Sequence, residues 1–249
     1  MTPSIASDFM RQTHHEVMPP SPQSQGHPQP PLELPYDPAA ALVHLPDAAQ
    51  MQFPQVDLRQ VIEQRRSLRT YGEDALSLDE LAALLWLTQG VQRVTKRPVT
   101  LRTVPSAGAR HAFETFLLVN RVAGVKPGLY RYIALEHALL PLDTPENITD
   151  ILTEACLRQN QVSGSAVTFF WVAVAERMTW RYPERGYRYL HLDAGHVCQN
   201  LYLAAEAIGC GVCAIAAFDD VLANQALGVD GEEQFLVYAA TLGRRPPRQ

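Results

Sequence analysis

Lysine is almost missing: Lys96 and Lys126 are the only two, against 19 arginines among the 21 basic residues. With 26 acidic residues the formal net charge is −5, so no global basic field exists to track a nucleic-acid backbone. Arginine in place of lysine suits fixed oxyanions, through its planar fork, although coding bias gives the same skew. Cysteine is scarce as well. Cys156, Cys198, Cys210 and Cys213, with no signal peptide ahead of them, do not make a disulfide framework in a chain of 249 residues. No apolar run reaches the ~18 residues that span a bilayer. No GxGxxG follows a strand and no P-loop occurs, so the common nucleotide folds lack their signatures. Cys210 and Cys213 form one CxxC without the second pair that zinc usually takes, and Cys213 falls in an apolar strand, so the pair reads as core packing. His191 and His196 are five apart on a helix, roughly 140° around it, and cannot share a metal ion. Asp193 and His196, three apart, could interact in a structural role. No Ser-His-Asp pattern stands out. These absences leave a soluble, cytoplasmic protein with no metal and neither a nucleic-acid nor a membrane partner.

What is present begins with a proline-rich arm. Residues 1–50, notably MPPSPQSQGHPQPPLELPYDP (18–38), cannot hold a regular helix or central strand in that proline-rich part. The segment is either disordered or an extended arm packed on another surface. Leu32, Leu34, Tyr36, Leu42, Val43 and Leu45 would anchor it; His14 and His15 are solvated. From 51 to 249 the texture is that of one folded domain, large enough for a sizeable core.

Within that domain Asp57 caps a helix over 58–66, with Leu58, Val61 and Ile62 on one face. Ser77 and Glu80 form a capping box opening a helix that stops at Gly90. Residues 91–101 read as a loop. FETFLLVNRV, GLYRYI and HALLPL follow as an antiparallel meander, with AGVKPG as the first turn. A helix over 145–159 and an apolar strand over 166–175 come next. The long helix over 186–208 carries Leu190, Ala194, Val197, Leu201, Ala204 and Ile208 on one face. Leu192, Leu203 and Ala207 broaden that face, as for a helix buried on more than one side. A strand over 212–218, an Asp219-capped helix to Leu227 and a strand over 235–243 complete the domain. Strands mixed with helices, without strict alternation, predict an α+β fold rather than a doubly wound one.

Two stretches point to chemistry. RTVPSAGARH (102–111) puts Pro105, Ser106, Ala107 and Gly108, nearly free of side-chain bulk, ahead of a strand. A flat ring can lie against such backbone, and Gly108 can take a positive φ; a plain turn is the alternative. RRSLRTYG (65–72) places Arg65, Arg66, Ser67 and Arg69 within five residues, the mixture of charged and neutral donors that a phosphate monoester needs. A basic helix end favoured by the macrodipole is the alternative. Arg244 and Arg245 add a second cationic pair after the last strand, or an exposed tail.

Together, in order, RRSLRTYG, SLDELAALLWLTQG, RTVPSAGARHAFETFLLV, GLYRY, RYPERGYRYLHLDAGHVCQNLYLAAEAIGCG and LGVDGEEQFLVYAATLG resemble the nitroreductase-like flavoproteins. Within them the likeness is to the thiazole/oxazole-forming SagB/McbC-type dehydrogenases. It covers about residues 55–245, and FMRQTHHE (9–16) is similar to that branch's N-terminal arm. The resemblance implies a central, mainly antiparallel sheet flanked by helices, in an intertwined FMN-dependent homodimer with two interface sites. Arg65, Ser67 and Arg69, with Arg66, would hold the ribityl phosphate, helped by Arg244 or Arg245. Pro105, Ser106, Ala107 and Gly108 would lie along the isoalloxazine, from the opposite subunit. Cys213, Ala214, Ile215 and Ala216 would pass its other edge. Relatives that oxidise azolines often carry a Lys-Tyr pair where Arg181 and Tyr182 stand here. Arginine effectively keeps its proton, so Arg181 would act electrostatically and Tyr182 would move the proton. The implied activity is azoline-to-azole oxidation on a peptide that a cyclodehydratase partner presents. The alternatives are a general NAD(P)H-dependent nitro- or quinone-reductase and a non-catalytic subunit that kept the fold.

Overall fold

Asp57, Ser77 and Asp219 each end an extended segment and begin a helix by taking an orphan backbone N–H. Asp57 accepts from Gln60 N at 2.8 Å and Asp219 from Leu222 N at 3.0 Å. Ser77 and Glu80 cap reciprocally, at 3.2 and 2.8 Å. Losing such a cap typically costs a helix about 1 kcal/mol. The computed structural model describes residues 4–48, 50 and 52–246.

In chain order the elements are α1 (Ile5–Gln12), β1 (Val43–His44), α2 (Leu58–Gln64), α3 (Leu78–Gln89), β2 (Val91–Val94) and β3 (Thr100–Arg102). Then come β4 (Phe113–Val119), β5 (Gly128–Ile133), β6 (Ala138–Pro141), α4 (Ile148–Ala155), α5 (Gln161–Gly164), β7 (Val167–Val174) and α6 (Ala175–Thr179). The last are α7 (Gly186–Ala207), β8 (Cys210–Ile215), α8 (Asp220–Leu227) and β9 (Gln234–Arg244). Among the described residues β1-β6-β5-β4-β7-β9-β8 form one seven-stranded sheet, antiparallel at every pairing. The fold is the α+β arrangement that the sequence predicts, with the meander at β4, β5 and β6.

Alternation along the central strands makes two cores. Phe113, Leu117, Val119, Phe169 and Trp171 join Leu81, Leu84, Leu85 of α3 and Leu190, Val197, Leu201 of α7 on one face. Phe116, Leu118, Phe170 and Val172 join Ile148 and Leu152 of α4 and Ala223 and Leu227 of α8 on the other. Every residue of β4 and β7 is buried, which is why β7 reads as an unbroken apolar run.

Several boundaries differ from expectation. Residues 91–101 are not a loop: β2 and β3 pair as a small antiparallel hairpin, built from a short and largely exposed sequence. The expected 145–159 helix breaks after Ala155, where Leu157 and Arg158 take positive φ, and resumes as α5. Leu58 and Ile62 of α2 are exposed, as is Leu192 of α7, so within one chain α7 is not buried on every side. Cys213, Ala214 and Ile215 lie in β8, but Ala216 follows its end and is exposed.

The N-terminal arm contains an unforeseen helix, α1, capped by Ser4. Beyond it, polar groups of the body hold the arm more than its own leucines do. Arg177 donates to Pro31 O, Arg131 to Leu34 O and Pro35 O, and Trp180 Nε1 to His27 O. Glu114 accepts Leu34 N at 2.8 Å and pairs with Arg177 at 2.6 Å, both side chains almost fully buried. Of the expected anchors, Leu45 is buried.

Candidate functional site

The 105–111 turn is built around left-handed backbone. Gly108 has φ 57°, followed by Ala109 at 54° and His111 at 42°. That region costs a residue with a Cβ roughly 1–2 kcal/mol, and such strain persists only where neighbours enforce it. Here Ser106 Oγ accepts His111 N at 2.9 Å, and Ala107 N donates to Asp193 Oδ1 of α7 at 3.3 Å. A Cβ on Gly108 would stand 2.5 Å from Tyr182 Oη and 2.9 Å from Arg181 Nε, so any larger residue here would displace those two side chains as well as strain the backbone.

The structure therefore brings Tyr182 and Arg181 onto the predicted ring ledge within one chain. Arg181 Nε donates to Tyr182 Oη at 3.1 Å, and its Nη1 donates to Gln23 Oε1 of the arm at 3.1 Å. Tyr189 meets the Tyr182 ring edge-on at 4.9 Å. Arg110 donates from Nε to Gly108 O at 3.2 Å and lays its guanidinium over the Trp180 ring at 5.1 Å. Burial, then the charges of Arg181 and Arg97, depress the Arg110 pKa. Burial first, with Arg102 and Arg110 adding to it, pushes the His111 imidazole down to about 3, so it is neutral near pH 7. Burial raises Asp193, against hydrogen bonds from Ser106 and Ala107; its Oδ2 has no hydrogen-bond partner among the described residues. His196 Nδ1 stands 4.0 Å from Asp193 Oδ1.

The second predicted set gathers at the β8 edge. Ser67 bridges to Val212 in parallel, and Leu68 N donates to Val212 O at 2.9 Å. Ser67 Oγ is 3.0 Å from Tyr202 Oη, which accepts Ala214 N at 2.9 Å. The Arg65 guanidinium lies over the Tyr202 ring at 5.1 Å. Arg66 instead donates to Glu63 O and Arg65 O, turned back on its own helix end. Arg69 is exposed and close enough for its charge to act on Cys213, whose thiol burial pushes up. Ile215 faces the α4 and α8 core rather than this edge.

Arg244 and Arg245 are engaged elsewhere. Arg244 pairs with Glu80 at 2.7 Å and donates to Ile208 O at 3.1 Å; Arg245 pairs with Glu206. No hydrogen bond or ion pair among the described residues joins either to the 65–69 segment, and the reason is plain: each has its own carboxylate. Residues 247–249 of the expected tail lie outside the described residues. All four cysteines are free and buried, and among the described residues no group of three or more His, Cys, Asp or Glu could hold a metal ion. No helix there is long and apolar enough to cross a membrane.

A model of the Nitroreductase family matches residues 62–244, the span that holds both sets. The chain belongs to the Nitroreductase family. It is 36% identical over 177 residues to a nitroreductase-like protein of Methanocaldococcus jannaschii, covering 70% of this chain and 87% of that one. It is also 33% identical over 112 residues to the trifolitoxin-processing protein TfxB of Rhizobium leguminosarum bv. trifolii, covering 43% of this chain and 30% of TfxB. Among solved structures, a nitroreductase-like protein of Anabaena variabilis matches with TM-score 0.69 and 30% identity, over 84% of this chain and 42% of that one. A chain of the Escherichia coli microcin synthetase McbBCD complex matches with TM-score 0.61 and 19% identity, over 96% of this chain and 86% of its own, a likeness of fold.

Four residues of the candidate site escape the sequence reading: Gln23, Arg110, Asp193 as an acceptor for Ala107 N, and Tyr202. The signal for Arg110 was its place two residues past Gly108. Tyr202 and Asp193 lie in a helix that periodicity alone marks as core.

Proposed function

We propose that this nitroreductase-family oxidoreductase binds FMN in residues 51–249 and oxidises an azoline ring of a peptide to the azole. The observation that carries the proposal is the Arg181–Tyr182 pair seated on the Gly108 turn, where family resemblance puts a Lys-Tyr pair. TfxB, named as a trifolitoxin-processing protein, and the microcin synthetase fold support the same direction. The residues present fit the cofactor. Among the described residues Arg65 and Arg69 have no carboxylate partner, Ser67 adds a hydroxyl, and the ledge has almost no side-chain bulk.

In this reading Arg65, Ser67 and Arg69 hold the phosphate, and Pro105, Ser106, Ala107 and Gly108 lie along the ring. Cys213 and Ala214 pass its other edge. Bound FMN supplies a hydride acceptor. Tyr182 Oη is the atom at which the chain exchanges a proton, and Arg181 Nε holds that oxygen while keeping its own charge. A second copy of the chain completes the site. It would cover the groove of Phe53, Val56, Leu58, Leu203 and Ala207 and the exposed Leu192. A cyclodehydratase partner delivers the peptide.

The test is turnover of an azoline peptide by yellow protein. Tyr182→Phe should keep its flavin and lose activity; parent-rate turnover by that variant removes Tyr182 from the mechanism. The M. jannaschii relative favours a second reading, a general NAD(P)H-dependent nitro- or quinone-reductase. Anaerobic NADPH separates the two: rapid flavin bleaching selects the reductase.

A further inference from the structure

Arg110 and Arg181 approach the Gly108 turn from opposite sides of the sequence. One donates to Gly108 O at 3.2 Å; the other packs its Nε where a Gly108 Cβ would be, at 2.9 Å. Their charges repel, and Arg97 from the β2–β3 hairpin adds to the repulsion on Arg110. Arg110 is only 7% exposed, yet no ion pair among the described residues includes Arg97, Arg110 or Arg181. What neutral support they have is consistent with charge retained. Trp180 takes the Arg110 face, and Gln23 and Tyr182 take Arg181. Of Arg110's five donors, Nε alone has a protein partner among the described residues.

Arg177, four residues before Arg181, has its hidden charge met by Glu114 at 2.6 Å, while the buried Arg131 donates to the carbonyls of Leu34 and Pro35. A buried cation left without a counter-charge is unfavourable by itself. Arg110 keeps four donors without a protein partner among the described residues beside the half-buried Arg181, an arrangement that an anion from outside would complete. The planar fork of arginine fits a carboxylate with paired donors.

We propose that Arg110 and Arg181 bind a carboxylate at the Gly108 turn, and that the substrate taken there is an anion. On the peptide reading, the segment presented to the site carries an acidic side chain or a C-terminal carboxylate beside the ring to be oxidised. The proposal deepens the flavin reading by naming the substrate's charge. It rests on that reading for the reaction, although the anion site stands on its own geometry.

The experiment is calorimetric titration of the full chain as purified with benzoate and with benzamide, its neutral isostere. Benzoate should bind at least about tenfold more tightly than benzamide, as two charge-assisted hydrogen bonds imply. Arg110→Gln should erase that preference and Arg110→Lys should keep part of it, which separates lost charge from lost fold. Quenching or enhancement of Trp180 fluorescence on titration gives a second readout, because Arg110 lies on that ring. Equal binding of the two probes, or an undiminished preference in Arg110→Gln, overturns the proposal. Flavin absorbance of the same samples reports on the cofactor separately. Colourless protein that prefers benzoate keeps the anion site and rejects the flavin, and yellow protein indifferent to charge does the reverse.

Discussion

Arg177 and Arg181 sit four residues apart, both touch the N-terminal arm, and they serve different ends. Arg177 is buried against Glu114 and donates to Pro31 O, so its charge is cancelled inside the fold. Arg181 meets only neutral partners, Gln23 and Tyr182, and stands on the strained turn. The same contrast recurs across the molecule. Arg244 and Arg245 have Glu80 and Glu206, whereas Arg65 and Arg69 have no carboxylate among the described residues. A carboxylate thus partners Arg177, Arg244 and Arg245, whereas Arg131 holds the arm through backbone carbonyls alone, so a missing counter-charge marks a candidate ligand arginine only where donors are also free.

The sharpest way to break this division is to remove a counter-charge. Glu114→Ala leaves Arg177 buried and alone and should cost roughly 3–5 kcal/mol in chemical denaturation. Arg181→Gln should cost under about 1 kcal/mol while abolishing turnover. Equal stability losses would erase the distinction. Gly108→Ala comes next. It pushes a Cβ into Tyr182 and Arg181, and a displacement on the order of 1 Å costs about 100-fold in kcat/KM. Gly124→Ala, at φ 80° with open space around it, carries a similar backbone strain and should leave kcat/KM unchanged.

His111 is lowered to about 3 by burial first and then by the charges of Arg102 and Arg110. The unfolded chain takes up a proton near the ordinary value of 6.5 while the folded chain resists it. Stability therefore falls as pH drops through that window, by up to about 1.4 kcal/mol per pH unit. Acid titration of the folding free energy should show this slope and His111→Gln should flatten it; an unchanged profile would place the proton elsewhere. The smallest effects are at the two arginine groups near β8. Arg69→Gln should weaken FMN binding about tenfold with little change in stability. Arg244→Gln should cost about 1 kcal/mol or less, its pair being partly exposed, and leave FMN affinity alone. A reversed pattern would return Arg244 to the phosphate.

Local signals made much of the fold legible. The capping box at Ser77, the apolar run of β7 and the periodicity of α7 each depend on neighbours a few residues away. The hairpin at 91–102 escaped because VQRV is short and mostly exposed, and α1 because a proline-rich surrounding masked it. The arm's attachment was invisible for another reason: its backbone makes most of the contacts, through four carbonyls and the N–H of Leu34, and these carry no side-chain signature. The ledge was readable from Ser106, Ala107 and Gly108. Its supports were not, because Ala107 and Asp193 are 86 residues apart and Arg181 and Gln23 158; at the β8 edge Ser67 and Tyr202 are 135 apart.

The most direct measurement is a flavin titration of purified protein beside its Arg69→Gln and Arg244→Gln variants. Wild type and Arg244→Gln should hold one FMN per chain with matching affinity, and Arg69→Gln should bind it about tenfold more weakly. Wild-type protein that acquires no flavin absorbance after incubation with FMN would contradict the account at its root.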